Sequence, residues 1–193
     1  GPMLLRNFQV GLTACARMLA ESKNPLIKSA LISSVSKFYS VDMSSSAQEN
    51  FSCFDGFFTR DFKAGARPVS EANFIHPVDG KVAEFGALTK DHPIYIKHKP
   101  YSTAELLPGE SLSENSNFMS YYLAPYNHHQ IYMPVTGNIV KTIYVPGMLH
   151  SVNPNGVDSQ MVVNFKNERL VVLIESEFGP VILVMVGALL VGS

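Results

Sequence analysis

The spacing of apolar residues near the start of the chain predicts two helices within residues 4–41. Apolar side chains recur there every three or four positions, which is the period of one helical face. The two runs are Phe8, Leu12, Cys15 and Leu19, and then Leu26, Ile27, Ala30, Leu31, Val35 and Phe38. Asn24-Pro25 separates the runs, and proline suits the first turn of a helix. Amphipathic helices of this kind lie on a membrane surface or pack on a sheet or partner subunit, and the pattern leaves both readings open.

From Phe74 onward the pattern changes to short β-rich runs separated by turns that contain glycine. Such runs predict strands. They cover 74–86, 93–98, 118–124, 129–145 and 169–191. Segment 153–168 carries Asn-Pro and Asn-Gly turn signals and is predicted to be a loop. The expected fold class is therefore α+β, with N-terminal amphipathic helices followed by a mainly antiparallel β-sheet domain.

These patterns divide the chain into a helical region over residues 3–43 and a β-rich domain over residues 44–193. Gly1-Pro2 before Met3 is typical of a scar left by tag removal and is set aside. Five phenylalanines between residues 51 and 62 are predicted to pack as a core cluster rather than to serve a site.

Composition narrows the functional class. The 193 residues carry a net charge of −1 with 16% charged residues, which does not indicate nucleic-acid binding. Cys15 and Cys53 lack metal-type spacing and favour a reducing compartment. No signal peptide and no apolar run long enough to span a membrane follows Met3. The expected location is the cytoplasm or the cytoplasmic face of the membrane.

Four sequence blocks contain most of the residues able to do chemistry. They are FFTRDFKAGARPV (57–69), HPVDGKVAEFG (76–86), FMSYYLAPYNHHQIYMPVTGNIVKTIYVPGMLHSVN (118–153) and NERLVVLIESEFGPVILVMVGALLVGS (167–193). In order and spacing the blocks closely resemble the phosphatidylserine decarboxylase family, and the resemblance runs from about Asn7 to the last residue. It implies the α+β fold of that family.

The resemblance also implies a chemistry. Members of the family are pyruvoyl enzymes, in which a serine of a Leu-Gly-Ser-Thr motif attacks the preceding peptide bond. That serine becomes the pyruvoyl group of a short second subunit and acts as an electron sink for loss of CO2. Self-cleavage needs a serine, a base and a carboxylate that orients the base.

The family residues carry over to three catalytic candidates in this sequence. The resemblance places the carboxylate at Asp79 and the first family histidine at His129. Tyr132 stands where the family has its second histidine, the base for self-cleavage. A phenol with a pKa of about 10 is a poor base at neutral pH. Asp79 has a structural alternative, because Asp-Gly is also a tight-turn signature in which the aspartate caps its own turn.

The Leu-Gly-Ser-Thr motif does not occur in the sequence. Val191-Gly192-Ser193 aligns with an earlier strand of the family and is a poor pyruvoyl precursor. The chain therefore reads as a C-terminally truncated homologue that does not process itself, and no pyruvoyl group is expected from it.

Several histidines stand where the family commonly has other residues. Converging neutral imidazoles and a carboxylate are typical ligands of a divalent transition metal such as zinc or iron. The candidate ligands are His76, His98, His129, His150 and Glu177, with Glu175 as the alternative carboxylate. A bound cation would replace the pyruvoyl group as electron sink. The sequence spacing contains no compact metal motif, so these histidines also read as core or surface residues.

His128 is expected to lie outside the pocket, because neighbouring residues of a strand point to opposite faces.

Three functional readings follow. The first is a repurposed lyase that decarboxylates or eliminates from a small amino-acid-derived or carboxylate substrate. The second is the large (beta) subunit of a decarboxylase that needs a separate pyruvoyl subunit. The third is a non-catalytic homologue that binds a membrane or a partner protein. An exposed apolar edge at residues 180–191 predicts a homo-oligomer.

Overall fold

A computed structural model of the chain describes residues 2–88, 94–96, 99–101, 103–112, 116–148 and 167–187. Side chains are described for residues 11–88, 103–112, 116–148 and 167–187. The chain forms two compact units. Their ranges are Gly1–Ala14, Val82–Ser120 and Gly137–Ser193 for unit 1, and Cys15–Lys81 and Tyr121–Thr136 for unit 2.

Helices open the chain, as the sequence predicted. Their bounds are α1 (Pro2–Ala20), α2 (Pro25–Tyr39), α3 (Phe54–Phe58) and α4 (Thr103–Leu106). Asn24 starts α2, because its Oδ1 accepts a hydrogen bond of 3.0 Å from the Leu26 backbone N–H. The helix ends at Ser40, whose left-handed backbone (φ 51°) is typical of a C-terminal cap.

The predicted amphipathic character of these helices is not shown. Helix α2 has no buried residue, so none of its faces is closed off from solvent. Among the described residues, no helix is long and apolar enough to cross a membrane.

The strands confirm the α+β class and its antiparallel character. Their bounds are β1 (Lys81–Ala87), β2 (Ile94–Ile96), β3 (Lys99–Tyr101), β4 (Asn117–Tyr122), β5 (Gly137–Val145), β6 (Arg169–Ser176) and β7 (Gly179–Val186). Strands β1 and β4 form one sheet, while β2–β3 and β5–β6–β7 pair antiparallel in two others. The predicted strand over 129–145 is correct only from Gly137. Most of the predicted loop 153–168 lies outside the described residues.

The core of unit 1 is built on β6, which lies between β5 and β7. Val171, Val172 and Ile174 of this strand are buried. Gly137 has to be small, because a Cβ there would collide with the backbone oxygen of Glu175 on the paired strand. Among the described residues β7 pairs only with β6, and the expected homo-oligomer through this edge stays a prediction.

A buried guanidinium ties α4 to β6 within unit 1. Arg169 donates from Nε to the Leu106 carbonyl over 3.0 Å, and from Nη2 to the Glu105 carbonyl. Both acceptors are at the C-terminal end of α4, where carbonyls lack helical partners. Burial lowers the pKa of Arg169. The charge is therefore held by carbonyl oxygens in place of water.

In unit 2 the phenylalanine cluster packs as the sequence predicted. The buried Phe57 ring lies 5.6 Å from the Phe51 ring and 5.7 Å from the Phe54 ring. The Arg60 guanidinium is 5.4 Å from the Phe57 ring centroid, and its Nη2 donates to the Tyr126 carbonyl over 3.3 Å. Phe57 is thus the centre of the phenylalanine cluster. Arg60 links this cluster to Tyr126, which precedes the histidine pair.

We expect Ile174→Ala to lower the free energy of unfolding by about 2–5 kcal/mol, because it leaves a cavity in the core of unit 1. Urea unfolding measures the change. Ile139→Ala is the matched control, since Ile139 pairs with Ile174 across the sheet but is 57% exposed. The control should lose less than about 1 kcal/mol. Equal losses in the two variants would contradict the placement of the core.

Candidate functional site

Two chain segments of unit 2, residues 75–80 and 128–134, lie side by side. The Tyr132 backbone N–H donates to the Pro77 carbonyl over 2.8 Å, and the Ile75 N–H donates to the Pro134 carbonyl over 2.8 Å. These bonds replace the strand predicted for residues 129–136. They bring the Asp79 turn next to the histidine pair.

The Asp79-Gly80 turn is sterically fixed. A Cβ on Gly80 would lie 2.8 Å from the backbone oxygen of Tyr122, closer than real Cβ atoms approach. Glycine is therefore required for the chain to leave Asp79 in this direction.

Asp79 is held as an anion by Arg67. The guanidinium Nε is 2.7 Å from Oδ1 and Nη2 is 3.1 Å from Oδ2, which is the two-point pairing that arginine and carboxylates favour. The Arg67 hydrogen bond lowers the pKa of Asp79, and the backbone N–H of His128 lowers it further. Asp79 therefore contacts groups of two other segments, which goes beyond capping its own turn. Arg67 was not among the residues predicted from the sequence.

His128 is fully buried, at 0% exposure. Its ring lies 4.0 Å from the Phe62 ring, and its Nε2 is 2.9 Å from the Tyr132 hydroxyl. Burial lowers the pKa of His128, and the nearby Arg60 charge lowers it further. The imidazole is therefore neutral at neutral pH. The expectation that His128 lies outside the pocket stays a prediction, while the structure shows that its Nε2 contacts the Tyr132 hydroxyl.

His129 contacts Phe58 and Asn127. Its ring stacks on Phe58 with centroids 3.8 Å apart, and its Nδ1 lies 2.9 Å from the Asn127 carbonyl oxygen. A carbonyl only accepts, so Nδ1–H is the donor. Burial lowers the pKa of His129 and keeps it neutral. The two histidine rings contact different groups, and the expected catalytic role of His129 stays a prediction.

Tyr132 is the exposed end of a hydrogen-bond network. Its side chain is 44% exposed, and its hydroxyl is 3.2 Å from Gln130 Oε1. The Gln130 amide nitrogen donates to the Thr59 carbonyl over 2.6 Å and to Asp61 Oδ1 over 3.0 Å. Partial burial raises the pKa of Tyr132, and the charges of Asp61 and Asp79 raise it further. The phenol is therefore protonated at neutral pH.

The candidate metal ligands are only partly described. His76 lies in unit 2, where its Nδ1 is 2.8 Å from the Tyr121 hydroxyl. Glu177 lies in the turn between β6 and β7 of unit 1. His98 and His150 lie outside the described residues. Within the described ranges no three or more histidine, cysteine, aspartate or glutamate residues are grouped to hold a metal ion. The structure therefore gives the metal prediction no support.

Comparison with known proteins agrees with the resemblance. A family model for phosphatidylserine decarboxylase matches residues 54–193. The chain is 38% identical over 189 residues to a phosphatidylserine decarboxylase proenzyme of Dechloromonas aromatica (strain RCB), covering 94% of this chain and 67% of the relative. It is 40% identical over 162 residues to one of Azoarcus sp. (strain BH72), covering 80% and 56%. A third, from Vibrio parahaemolyticus serotype O3:K6 (strain RIMD 2210633), is 39% identical over 194 residues, covering 96% and 68%.

The matched class is that of decarboxylases, which are lyases. This chain belongs to the phosphatidylserine decarboxylase family. It spans between 56% and 68% of the length of these three relatives.

The Asp79–Arg67 ion pair gives a pH prediction. The folded pKa of Asp79 is lowered, so the pair adds stability above the unfolded pKa of about 3.9, and this stability is lost as the pH falls through the folded value. Arg67→Met should return the pKa of Asp79 toward its ordinary value and flatten this acid dependence. At neutral pH the loss should be about 1 kcal/mol or less, because Arg67 is half exposed.

Carboxyl carbon NMR follows the Asp79 titration directly. Lys141→Met is the matched control, since Lys141 is a comparably exposed cation 2.6 Å from Glu110 in unit 1. It should leave the pKa of Asp79 unchanged. An Asp79 titration that is identical in wild type and Arg67→Met would show that the ion pair does not exist in solution.

Proposed function

We propose that this chain carries the acid–base groups of a decarboxylase-type lyase site that acts on a small amino-acid-derived or carboxylate substrate. Family membership supports the reaction class. The contact between the buried His128 and the half-exposed Tyr132, beside the Asp79 turn, is the observation that carries the proposal. Lyase chemistry needs groups that release and accept protons near neutral pH.

Each group has a separate part in this proposal. Asp79 is kept ionised by Arg67 and accepts the His128 backbone N–H, so it fixes the start of the 128–134 segment. His128 is neutral and closed off from water. Tyr132 keeps its proton at neutral pH and is open to solvent, which makes it the group that meets a substrate.

The pyruvoyl group of the family supplies an electron sink for the carbanion left by decarboxylation. Its precursor motif, Leu-Gly-Ser-Thr, is not among the residues of this sequence. The groups described here therefore do not form that cofactor, and no step of the proposal passes through it. The described residues likewise give the metal ligand set no support, so the proposal rests on Asp79, His128 and Tyr132.

The large-subunit reading stays as the second candidate, because the relatives are named proenzymes and extend beyond the matched region. In that reading the same acid–base groups work only beside a segment supplied by another polypeptide. The two readings therefore differ in one requirement. The repurposed lyase releases CO2 by itself, whereas the large subunit needs a second polypeptide.

We expect Tyr132→Phe to lower CO2 release on the order of 100-fold, because it removes a proton donor or acceptor from the site. The assay measures CO2 from phosphatidylserine in detergent micelles and from free serine. It uses the chain alone and the chain together with the part of the Dechloromonas aromatica relative that lies outside the matched region. Tyr126→Phe is the matched control, since Tyr126 is also a half-exposed tyrosine of unit 2.

Release by the chain alone would support the repurposed lyase. Release only with the added segment would support the large-subunit candidate. No release in either case, or equal rates in Tyr132→Phe and wild type, would contradict the proposed role of these groups.

We propose in addition that the N-terminal helices make a peripheral membrane contact. Large apolar side chains on them face solvent, with Leu26 at 82% and Phe38 at 80% exposure. Lys37 lies on the same helix, and a cation near an apolar surface favours anionic lipid. This combination suits a helix that rests on a lipid surface without crossing it.

The double substitution Leu26→Ser with Phe38→Ser should weaken binding to vesicles at least about tenfold, because each large apolar side chain contributes roughly 1.5–3 kcal/mol when fully buried. Flotation with vesicles of phosphatidylcholine and phosphatidylglycerol measures the bound fraction. Ile139→Ser with Val140→Ser is the control, because these exposed apolar residues lie on β5. Equal binding by wild type and the helix variant would exclude the proposed contact.

A further inference from the structure

The hydrogen bond between His128 and Tyr132 joins two groups of very different exposure. The imidazole is 0% exposed and the tyrosine is 44% exposed, yet Nε2 and the hydroxyl oxygen are 2.9 Å apart. The hydroxyl makes a second contact, of 3.2 Å, with Gln130 Oε1. Any influence of the buried ring on a substrate therefore passes through the phenol.

The direction of these bonds follows from counting protons. The Gln130 amide nitrogen faces the Thr59 carbonyl and the Asp61 carboxylate, which only accept, so the NH2 group has to be on that side. Gln130 Oε1 is then the atom that faces Tyr132, and it also only accepts. Tyr132 has a single hydroxyl proton, and Gln130 receives it.

His128 must therefore donate to Tyr132. With the phenol proton directed at Gln130, the contact of 2.9 Å needs a proton on Nε2. In the neutral ring Nδ1 then carries only a lone pair, and among the described residues this buried atom has no hydrogen-bond partner. An acceptor without a partner is a more common state of a buried atom than a donor without one. The orphaned atom and the network thus indicate the same tautomer.

We propose that His128 is a positioning residue that makes Tyr132 the proton donor of this site, by holding the phenol oxygen with its Nε2–H. The inference rests on the proposed lyase function, in which a carbanion or a leaving group has to be protonated. In that step the Tyr132 O–H bond breaks, a new bond from hydrogen to the acceptor forms, and the electron pair stays on the phenol oxygen. The phenolate keeps the Nε2–H hydrogen bond until water returns a proton.

The surrounding charges fit this arrangement. Arg60 and Arg67 oppose a positive charge on His128, while Asp61 and Asp79 favour one, and burial outweighs these effects to keep the ring neutral. Asp61 and Asp79 also oppose a negative charge on Tyr132. The Nε2–H of His128 is the neighbouring donor that favours the phenolate. Removing that donor should therefore make the phenol a weaker acid.

The test compares His128→Phe with His128→Gln. Phenylalanine keeps a flat ring against Phe62 but has no donor, whereas the glutamine amide is able to place an N–H near the former Nε2. We expect the pKa of Tyr132 to rise in His128→Phe and to stay close to the wild-type value in His128→Gln, as measured by NMR of ring-labelled tyrosine. A role in packing alone would not separate the two variants in this way.

The rate at which Tyr132 reacts with an electrophile is a second measurement, independent of the titration. An aryl sulfonyl fluoride forms an oxygen–sulfur bond with a phenol as the sulfur–fluorine bond breaks, fluoride leaves and the phenol proton passes to solvent. Peptide mass spectrometry gives the rates at Tyr132 and at Tyr126, which is 51% exposed and serves as control in the same sample. Reaction at Tyr132 should slow roughly tenfold in His128→Phe, the size expected for losing a hydrogen bond to a charged group. Reaction at Tyr126 should not change.

Unchanged pKa and unchanged reactivity of Tyr132 in His128→Phe would overturn the proposal. If that variant does not fold, the nitrogen NMR spectrum of wild-type histidine decides: a proton on Nε2 supports the proposal and a proton on Nδ1 overturns it. None of these readouts needs decarboxylation. Failure of the CO2 assay would therefore count against the proposed function, whereas failure here would count against the role of His128.

Discussion

The candidate site depends on the backbone pairing between residues 75–77 and 132–134. Two hydrogen bonds of 2.8 Å hold these segments together, and Asp79 and the histidine pair lie just beyond them. The backbone N–H of His128 reaches the Asp79 carboxylate between the two segments. Side chains add contacts within each part of the chain: Arg67 with Asp79, and Tyr132 with His128. That alignment places the Asp79 carboxylate beside the start of the 128–134 segment. The candidate site is therefore built on loop segments, where functional residues are common.

Charged and neutral titratable groups lie close together in this region. Arg67 keeps Asp79 ionised, while burial keeps His128 and His129 neutral. The phenol of Tyr132 stays protonated beside two carboxylates. Pairs of groups whose surroundings push their pKa values apart are characteristic of acid–base sites. This pattern is a stronger argument for chemistry than the presence of several histidines in the sequence.

The fold class was predictable because helical and strand periodicities occupy separate parts of the chain. The start of α2 follows from the local signal Asn24-Pro25. The contact of His128 with Tyr132 was not predictable, because strand alternation was assumed for residues 129–136. In the structure these residues instead make single backbone bonds with distant segments, from His129 to Phe58 and from Tyr132 to Pro77. Arg67, Gln130 and Asp61 were missed for another reason. Arg67 bonds to Asp79, 12 residues away, and Gln130 bonds to Thr59 and Asp61, which are 71 and 69 residues away. No local spacing in the sequence encodes such contacts.

The order of segments along the chain has a consequence for folding. Unit 2 is discontinuous, because residues 82–120 of unit 1 separate its two parts. The bonds from Ile75 to Pro134 and from Tyr132 to Pro77 therefore close loops of more than fifty residues. Closing such loops costs chain entropy before the long-range contacts form. Long-range pairing of this kind therefore slows folding. The site is thus expected to assemble late, after the hairpin of β6 and β7 and the helix α2 have formed from nearby residues.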